Sequence, residues 1–166
     1  IRPRQPVVRY YGDLSLFLES SHKVIDFAYD WRLPPEDGAA RLADAVAAEL
    51  ESAENTGQPI RILAHSMGGL VARTMIANHP NVWVDMCKRT GTRLVMLGTP
   101  NGGSHSINEM FVGQSSTMKG LGTLDLKHTP QDLLRIVTRF PGVLAMLPND
   151  EREDYFDPDV WAKYAA

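Results

Sequence analysis

Residues 60–70, IRILAHSMGGL, run from a short apolar segment through a small polar cluster into a helix-forming sequence. A nucleophilic serine on a sharp turn between a strand and a helix has an exposed hydroxyl and a strained backbone. Such a turn needs small neighbours, and Ala64 and Gly68 lie two residues before and after Ser66. The stretch therefore fits the G-x-S-x-G pattern, with alanine in place of the first glycine.

The residue after the serine has a predicted role in the same chemistry. If Ser66 attacks a carbonyl group, the backbone N–H of Met67 lies at the positive end of the following helix, where it can bind the developing oxyanion. One such donor contributes roughly 3–4 kcal/mol to transition-state stabilisation. The alternative is that Ser66 only caps the helix. The apolar segment before it and the helix-forming segment after it favour the nucleophile.

The sequence around this turn alternates between predicted strands and predicted helices. Short apolar segments at 23–29, 60–64 and 93–98 are predicted strands. Apolar residues recur at helical spacing over 36–54, and the helix after the serine is expected to end before Pro80. This alternation predicts an α/β fold with a parallel sheet flanked by helices.

The two ends of the chain are predicted to be less regular. Residues 1–9 are basic and contain proline, which favours an extended segment, and Asp13 is a predicted N-cap for a short helix. Near the other end, Thr129 is expected to open a helix with Pro130 at its first position.

Composition restricts the partners. The 166 residues are 43% hydrophobic and 22% charged, which is typical of one globular domain. The net charge of −3 and the lack of a basic cluster argue against a nucleic-acid partner. The single cysteine, Cys87, has apolar neighbours, and we predict a buried thiol.

The sequence does not determine the cellular compartment of the protein. The sequence contains no apolar run of transmembrane length and no signal-peptide pattern, but it begins at Ile1 rather than at Met. The single cysteine slightly favours the cytoplasm.

Three motifs occur in order along the chain: YDWRLP at 29–34, AHSMGG at 64–69 and LGTPNGGS at 97–104. Together they resemble the lecithin:cholesterol acyltransferase-like, lipase-like branch of the α/β-hydrolases, which includes lysosomal phospholipases and bacterial lipase-like proteins. RFPGVLAMLP at 139–148 is similar to the cap region of that family. The resemblance implies a partial α/β-hydrolase fold.

The resemblance also implies domains and a reaction. Residues 1–105 would form the hydrolase core with the serine turn, and residues 106–166 a helical cap or lid. Ser66 would be the nucleophile of a serine esterase, lipase or acyltransferase that acts on lipid-like carboxylic esters through an acyl-enzyme, and Met67 would supply an oxyanion N–H. The predicted substrate-binding residues are Trp31, Gly102 and Gly103. No cofactor or metal is implied.

The resemblance is incomplete in three places. The family often has an aromatic residue where Asn101 precedes the glycine pair. The family's oxyanion loop would precede Tyr10, and its acid and histidine follow further strands, so we expect a fragment with an incomplete triad. The alternative function is therefore a non-catalytic, hydrolase-like module of a longer protein that lacks the acid and the base.

The chain also contains candidates for the missing acid and base, and the sequence supports them less strongly than it supports Ser66. His105 follows the predicted strand beside the serine's strand and lies in a glycine-rich loop, so it is the candidate base, although a simple loop histidine is the alternative. The side chain of His65 is expected to point away from the serine hydroxyl and to have a structural role. Structural or solvated roles are predicted for His22 and His79, and His128 in the predicted lid is a weaker candidate base than His105. Chain order alone allows three acids, which are Asp85, Asp125 and Asp150.

Two further expectations concern surfaces. Several apolar residues of the predicted lid either contact a lipid or membrane surface or pack on the sheet; they are Met110, Phe111, Val112, Leu121 and Leu124. A parallel sheet without its outer neighbours exposes unpaired edges and apolar faces, so we predict self-association into a homo-oligomer.

Overall fold

The computed structural model describes residues 8–52, 57–115, 127–149, 151–155 and 157–165. The contacts divide the chain into two units, Ile1–Asp30 and Trp31–Ala166. Four predicted site or lid residues lie outside the described ranges: Leu121, Leu124, Asp125 and Asp150.

The described part of the first unit, residues 8–30, contains one helix. Helix α1 spans Val8–Glu19, so it begins earlier than predicted, and Asp13 lies in its middle rather than at its N-cap. The predicted start was wrong because the apolar and aromatic residues before Gly12 extend the helix, and one glycine costs a helix interior only about 1 kcal/mol. His22 is exposed in the turn that follows, as predicted, and its Nδ1 lies 2.8 Å from Ser21 Oγ.

The predicted strand at 23–29 does not form. Phe27 and Tyr29 stack with ring centroids 6.4 Å apart. A strand also requires a hydrogen-bonded neighbour, and the two described strands pair with each other. Residues 23–29 therefore form no strand within the part of the chain that the structure describes.

The second unit contains a small parallel sheet with flanking helices. Its first elements are α2 (Pro35–Glu51), β1 (Arg61–His65), α3 (Met67–Asn78), α4 (Pro80–Cys87) and β2 (Arg93–Leu97). Strands β1 and β2 are parallel, with Arg61 opposite Arg93 and His65 opposite Leu97. The parallel sheet is confirmed, with two strands rather than three among the described residues. Helix α3 ends before Pro80 as expected.

The amphipathic pattern of α2 explains how this layer packs. Helix α2 buries four apolar side chains at helical spacing: Ala39, Leu42, Ala43 and Val46. Helix α3 packs against α2 and buries Val71, Ala72 and Met75. These two helices therefore form the main part of the core beside β1 and β2.

Helix α4 was not predicted. It begins directly after α3 because Pro80 is tolerated at the first helical position, and His79, whose N–H bonds to Met75 O at 2.8 Å, separates the two helices. Met86 is the fully buried side chain of α4. The predicted burial of Cys87 was wrong: the next residue on a helix points about 100° away from a buried neighbour, and Cys87 is exposed.

One face of the sheet is open. Side chains at alternate positions of both strands remain 42–44% exposed on this face: Leu63, Val95 and Leu97. Such a face is normally covered in a parallel sheet. We define these three residues as the open sheet face.

The C-terminal part of the second unit is helical. Its elements are α5 (Ser106–Phe111), α6 (Pro130–Val137), α7 (Pro141–Leu144) and α8 (Pro158–Ala165). Ile107, Val137 and Val143 form a second core, against which Met110 and Phe111 pack. Thr129 and Asp132 form a reciprocal capping box at the start of α6, so the predicted start is confirmed. Among the described residues, no helix is long and apolar enough to cross a membrane.

Candidate active site

Ser66 occupies a strained turn between β1 and α3. Its backbone has φ 52° and ψ −130°, a region that costs residues other than glycine about 1–3 kcal/mol. The Ser66 N–H donates to Leu97 O at 2.9 Å, which ties the turn to the end of β2. The side chain is partly exposed. The local geometry is therefore the positive-φ, strand-to-helix turn that the sequence predicts.

Met67 and Gly69 make this turn fit closely against its surroundings. Met67 is the first residue of α3, where a backbone N–H has no acceptor within the helix, and its side chain is buried. A Cβ atom at Gly69 would overlap the Thr99 side chain, so the start of α3 approaches the segment after β2 closely. Only a glycine at position 69 leaves space for this contact.

The glycine loop, defined as residues 98–104, follows β2. Because β1 and β2 are parallel, their carboxyl ends share one edge of the sheet, and the glycine loop starts beside the Ser66 turn. The loop is folded by its own hydrogen bonds, from Asn101 N–H to Thr99 O at 2.9 Å and from Gly103 N–H to Pro100 O at 3.0 Å. Gly103 has φ 83°, which other residues adopt at a cost.

A brace segment, defined as residues 139–149, holds the far side of the glycine loop. Ser104 N–H donates to Met146 O at 2.9 Å, and Asn149 N–H donates to Gly102 O at 3.0 Å. The backbone of Leu147 fills the space that a Cβ at Gly103 would need. Part of the predicted cap region is therefore packed directly against the predicted substrate loop.

The same brace segment contacts the residues after Asp30. Gly142 N–H donates to Arg32 O at 3.3 Å, and a Cβ at Gly142 would overlap the carbonyl oxygens of Trp31 and Leu33. The terminal methyl group of Met67 lies against the same position. Three of the sequence motifs therefore meet at Gly142.

Trp31 is only partly enclosed. Its ring packs edge-on against Phe140 with centroids 5.5 Å apart, and the residue is 49% exposed. About half of the Trp31 side chain is therefore accessible, because the ring contacts the brace segment with one edge. Its predicted contact with substrate stays a prediction.

The structure places the histidines and Asp85 at several separate positions. His105 is exposed at the N-terminal end of α5 and makes no side-chain capping bond, while His65 is exposed at the end of β1 rather than packed in the core. Asp85 forms an exposed ion pair with Lys88 at 2.6 Å. Within the described ranges no side chain hydrogen-bonds the Ser66 hydroxyl, so the assignment of His105 as the base stays a prediction.

One contact was missed by the sequence analysis. Arg73 of α3 donates from Nη1 to Asn101 Oδ1 at 2.8 Å and so reaches the glycine loop. The two residues are 28 positions apart, so no local spacing in the sequence indicates this contact. The described residues contain no group of three histidine, cysteine or acidic side chains that could hold a metal ion.

Comparison with known proteins adds an independent finding. The model of the lecithin:cholesterol acyltransferase family matches residues 17–165. A lysosomal phospholipase A and acyltransferase of Homo sapiens is 31% identical over 102 residues, which cover 60% of this chain and 24% of that protein. The matched part is thus about a quarter of the length of that relative. No solved structure matches the chain.

Proposed function

The chain belongs to the lecithin:cholesterol acyltransferase family, and from this premise we propose that Ser66 is the nucleophile of an acyltransferase or hydrolase for lipid-like carboxylic esters. The observation that carries the proposal is the positive φ of Ser66 at the turn between β1 and α3. Strained backbone at such a turn is typical of nucleophilic serines, and a capping serine does not require it. The human relative, described as a phospholipase A and acyltransferase, supports the same class of substrate.

The proposed reaction proceeds in two halves. Ser66 Oγ forms a bond to the ester carbonyl carbon while a histidine accepts the hydroxyl proton, and the carbonyl oxygen becomes an oxyanion. The N–H of Met67 and a second donor stabilise this oxyanion. The bond to the alcohol then breaks, and the histidine returns the proton to the leaving oxygen. Water or an acceptor alcohol attacks the resulting acyl-enzyme, which restores Ser66.

Other residues have supporting roles in this proposal. Gly102 and Gly103 line the substrate site because the glycine loop begins beside the Ser66 turn. Trp31 supplies an exposed aromatic edge, which suits an apolar part of the substrate. His105 is the candidate base within this chain, since it directly follows the glycine loop.

Labelling with an alkyl fluorophosphonate tests the nucleophile. The chain is incubated with the probe, its intact mass is measured, and the modified peptide is sequenced. We expect one adduct on Ser66 in the wild type and none in Ser66→Ala. Ser104→Ala, which changes a serine of the glycine loop, is the matched control and should keep the adduct. An adduct elsewhere, or an unmodified wild-type chain, would contradict the proposal.

A second candidate function is a non-catalytic, hydrolase-like module. It is favoured by the lack of a side-chain hydrogen bond to the Ser66 hydroxyl among the described residues. The same labelling separates the two candidates, because a module without a working base leaves Ser66 unmodified. His105→Ala adds a second comparison: lost labelling in this variant supports the enzyme, with His105 as its base.

A further inference from the structure

We propose that Arg73 is a positioning residue that fixes the glycine loop beside Ser66, an inference that rests on the proposed function. The guanidinium of Arg73 donates from Nη1 to Asn101 Oδ1 at 2.8 Å. Arginine keeps its positive charge across the pH range of proteins, so this is a charge-assisted hydrogen bond. It connects the helix that follows the nucleophile with the loop predicted to hold the substrate.

The position of Arg73 on α3 suits this role. It lies seven residues after Ser66, which is two helical turns and about 10 Å along the axis. The helix that begins directly after the serine therefore also carries the group that holds Asn101.

The rest of the loop is held by other contacts. Thr99 packs against Gly69 at the base of the loop, and the brace segment bonds to Gly102 and Ser104. The Arg73 bond is the contact between α3 and the side chain of Asn101, between those two attachments. Without it, the side chain of Asn101 in the middle of the loop loses its connection to the helix that follows Ser66.

This arrangement predicts which kinetic constant responds. Arg73 holds the loop and does not touch the reacting ester, so its loss should weaken binding of a substrate-like molecule more than it slows attack by Ser66. Arg73 is exposed on α3 and lines an open groove, so its replacement removes no core packing. A general loss of folding is therefore not expected from its substitution.

The first measurement separates binding from attack. The rate of labelling of Ser66 is followed at increasing concentrations of an alkyl fluorophosphonate, which gives the half-saturating concentration and the maximal rate. Arg73→Gln should raise the half-saturating concentration about fivefold, as expected for one charge-assisted bond lost at an exposed site, with an unchanged maximal rate. Arg73→Lys should restore part of the binding. The matched control is Arg93→Gln, an exposed arginine at the opposite end of β2.

The second measurement does not depend on labelling. Hydrogen–deuterium exchange of a peptide that covers residues 99–104 should be faster in Arg73→Gln than in the wild type, and Asn101→Asp, which keeps an acceptor, should retain wild-type exchange. In an Asn101→Ala background, Arg73→Gln should have no further effect.

The outcomes distinguish the two proposals. Faster exchange in Arg73→Gln, together with no labelling of wild-type Ser66, would show that Arg73 fixes the glycine loop and would contradict the proposed function. Unchanged exchange in Arg73→Gln would show that Arg73 does not fix the glycine loop, whether or not Ser66 is labelled, and would overturn the inference. Faster exchange in Arg73→Gln with an unchanged half-saturating concentration would show that the loop contact does not affect binding of the probe, and would overturn the positioning role.

Discussion

Gly69 of α3 lies so close to Thr99 that a Cβ atom at position 69 would overlap the threonine side chain. The contact joins the helix after the Ser66 turn to the base of the glycine loop. The Thr99 hydroxyl is buried there and has no hydrogen-bond partner among the described residues. At this contact, steric fit joins α3 to the base of the loop, and the Thr99 hydroxyl contributes no hydrogen bond.

Gly69→Ala is expected to destabilise the chain by about 1–3 kcal/mol, the usual cost of forcing extra atoms into a packed site. Urea unfolding followed by circular dichroism measures the loss. Gly102→Ala is the control, because nothing lies within 4 Å of a Cβ at that glycine. Thr99→Ala should recover part of the loss in the double variant. Equal stability of the Gly69 and Gly102 variants would contradict the steric explanation.

Ser66→Gly should make the chain more stable. The positive φ of Ser66 costs about 1–3 kcal/mol, and glycine adopts this conformation without that strain. The greater freedom of glycine in the unfolded chain reduces the gain by roughly 0.5–1 kcal/mol. We expect a net gain of about 1 kcal/mol in the free energy of unfolding. Ser66→Ala keeps the strain and should show no such gain. If Ser66→Gly is no more stable than Ser66→Ala, the turn is not strained.

The capping box at Thr129 predicts a pH dependence. The hydrogen bonds from the Thr129 side chain and backbone hold the pKa of Asp132 below its ordinary value of 3.8. A lowered pKa in the folded chain means that ionised Asp132 favours folding. This contribution is fully present above the ordinary pKa and is lost as the pH falls through the folded-state pKa.

Thr129→Ala should therefore raise the pKa of Asp132 towards 3.8 and reduce the dependence of stability on pH in this acid range. Carboxyl ¹³C NMR titration measures the pKa directly. Thr138→Ala is the control, because the Thr138 hydroxyl bonds to Leu134 O at 2.9 Å at the other end of α6. A pKa of Asp132 that is unchanged in Thr129→Ala would rule out the capping box as its cause.

Elements that depend on local sequence patterns were predicted well, whereas pairing of strands from distant segments was predicted poorly. The helical spacing of α2, the proline that ends α3 and the capping box of α6 all act within a few residues, so the sequence was sufficient to predict them. The segment at 23–29 has the composition of a strand. It does not become one because pairing depends on a neighbour that its own sequence does not encode.

The candidate site shows the same difference between local features and long-range contacts. The turn at Ser66 could be predicted because small residues and flanking periodicity are local features. The hydrogen bond of Arg73 to Asn101 joins residues 28 positions apart, and the overlap at Gly142 involves residues more than 100 positions away. Such contacts depend on tertiary packing, which no sequence spacing specifies.

The open sheet face predicts self-association. Leu63 and Val95 are opposite each other in the ladder and are both exposed, and apolar area of this kind favours association. Val95→Lys should shift the chain towards the monomer in sedimentation velocity. Ala48→Lys, a change at an exposed position of α2, should leave the distribution unchanged. A wild-type chain that stays monomeric as its concentration is raised would contradict this prediction.

Gly142 of the brace segment is expected to tolerate no side chain. Gly142→Ala would push α7 away from the carbonyl oxygens of Trp31 and Leu33, break the bond to Arg32 O and displace the Met67 side chain. We expect a loss of about 1–3 kcal/mol in unfolding free energy from this overpacking.

Leu144→Ala is the matched control for Gly142→Ala, because it changes the same short helix at an exposed side chain and should cost less than about 0.5 kcal/mol. The change should also reach the serine turn, since Met67 directly follows Ser66. Hydrogen–deuterium exchange of a peptide that begins at Ser66 should be faster in Gly142→Ala than in Leu144→Ala. Equal exchange in both variants would show that the brace segment does not support the turn.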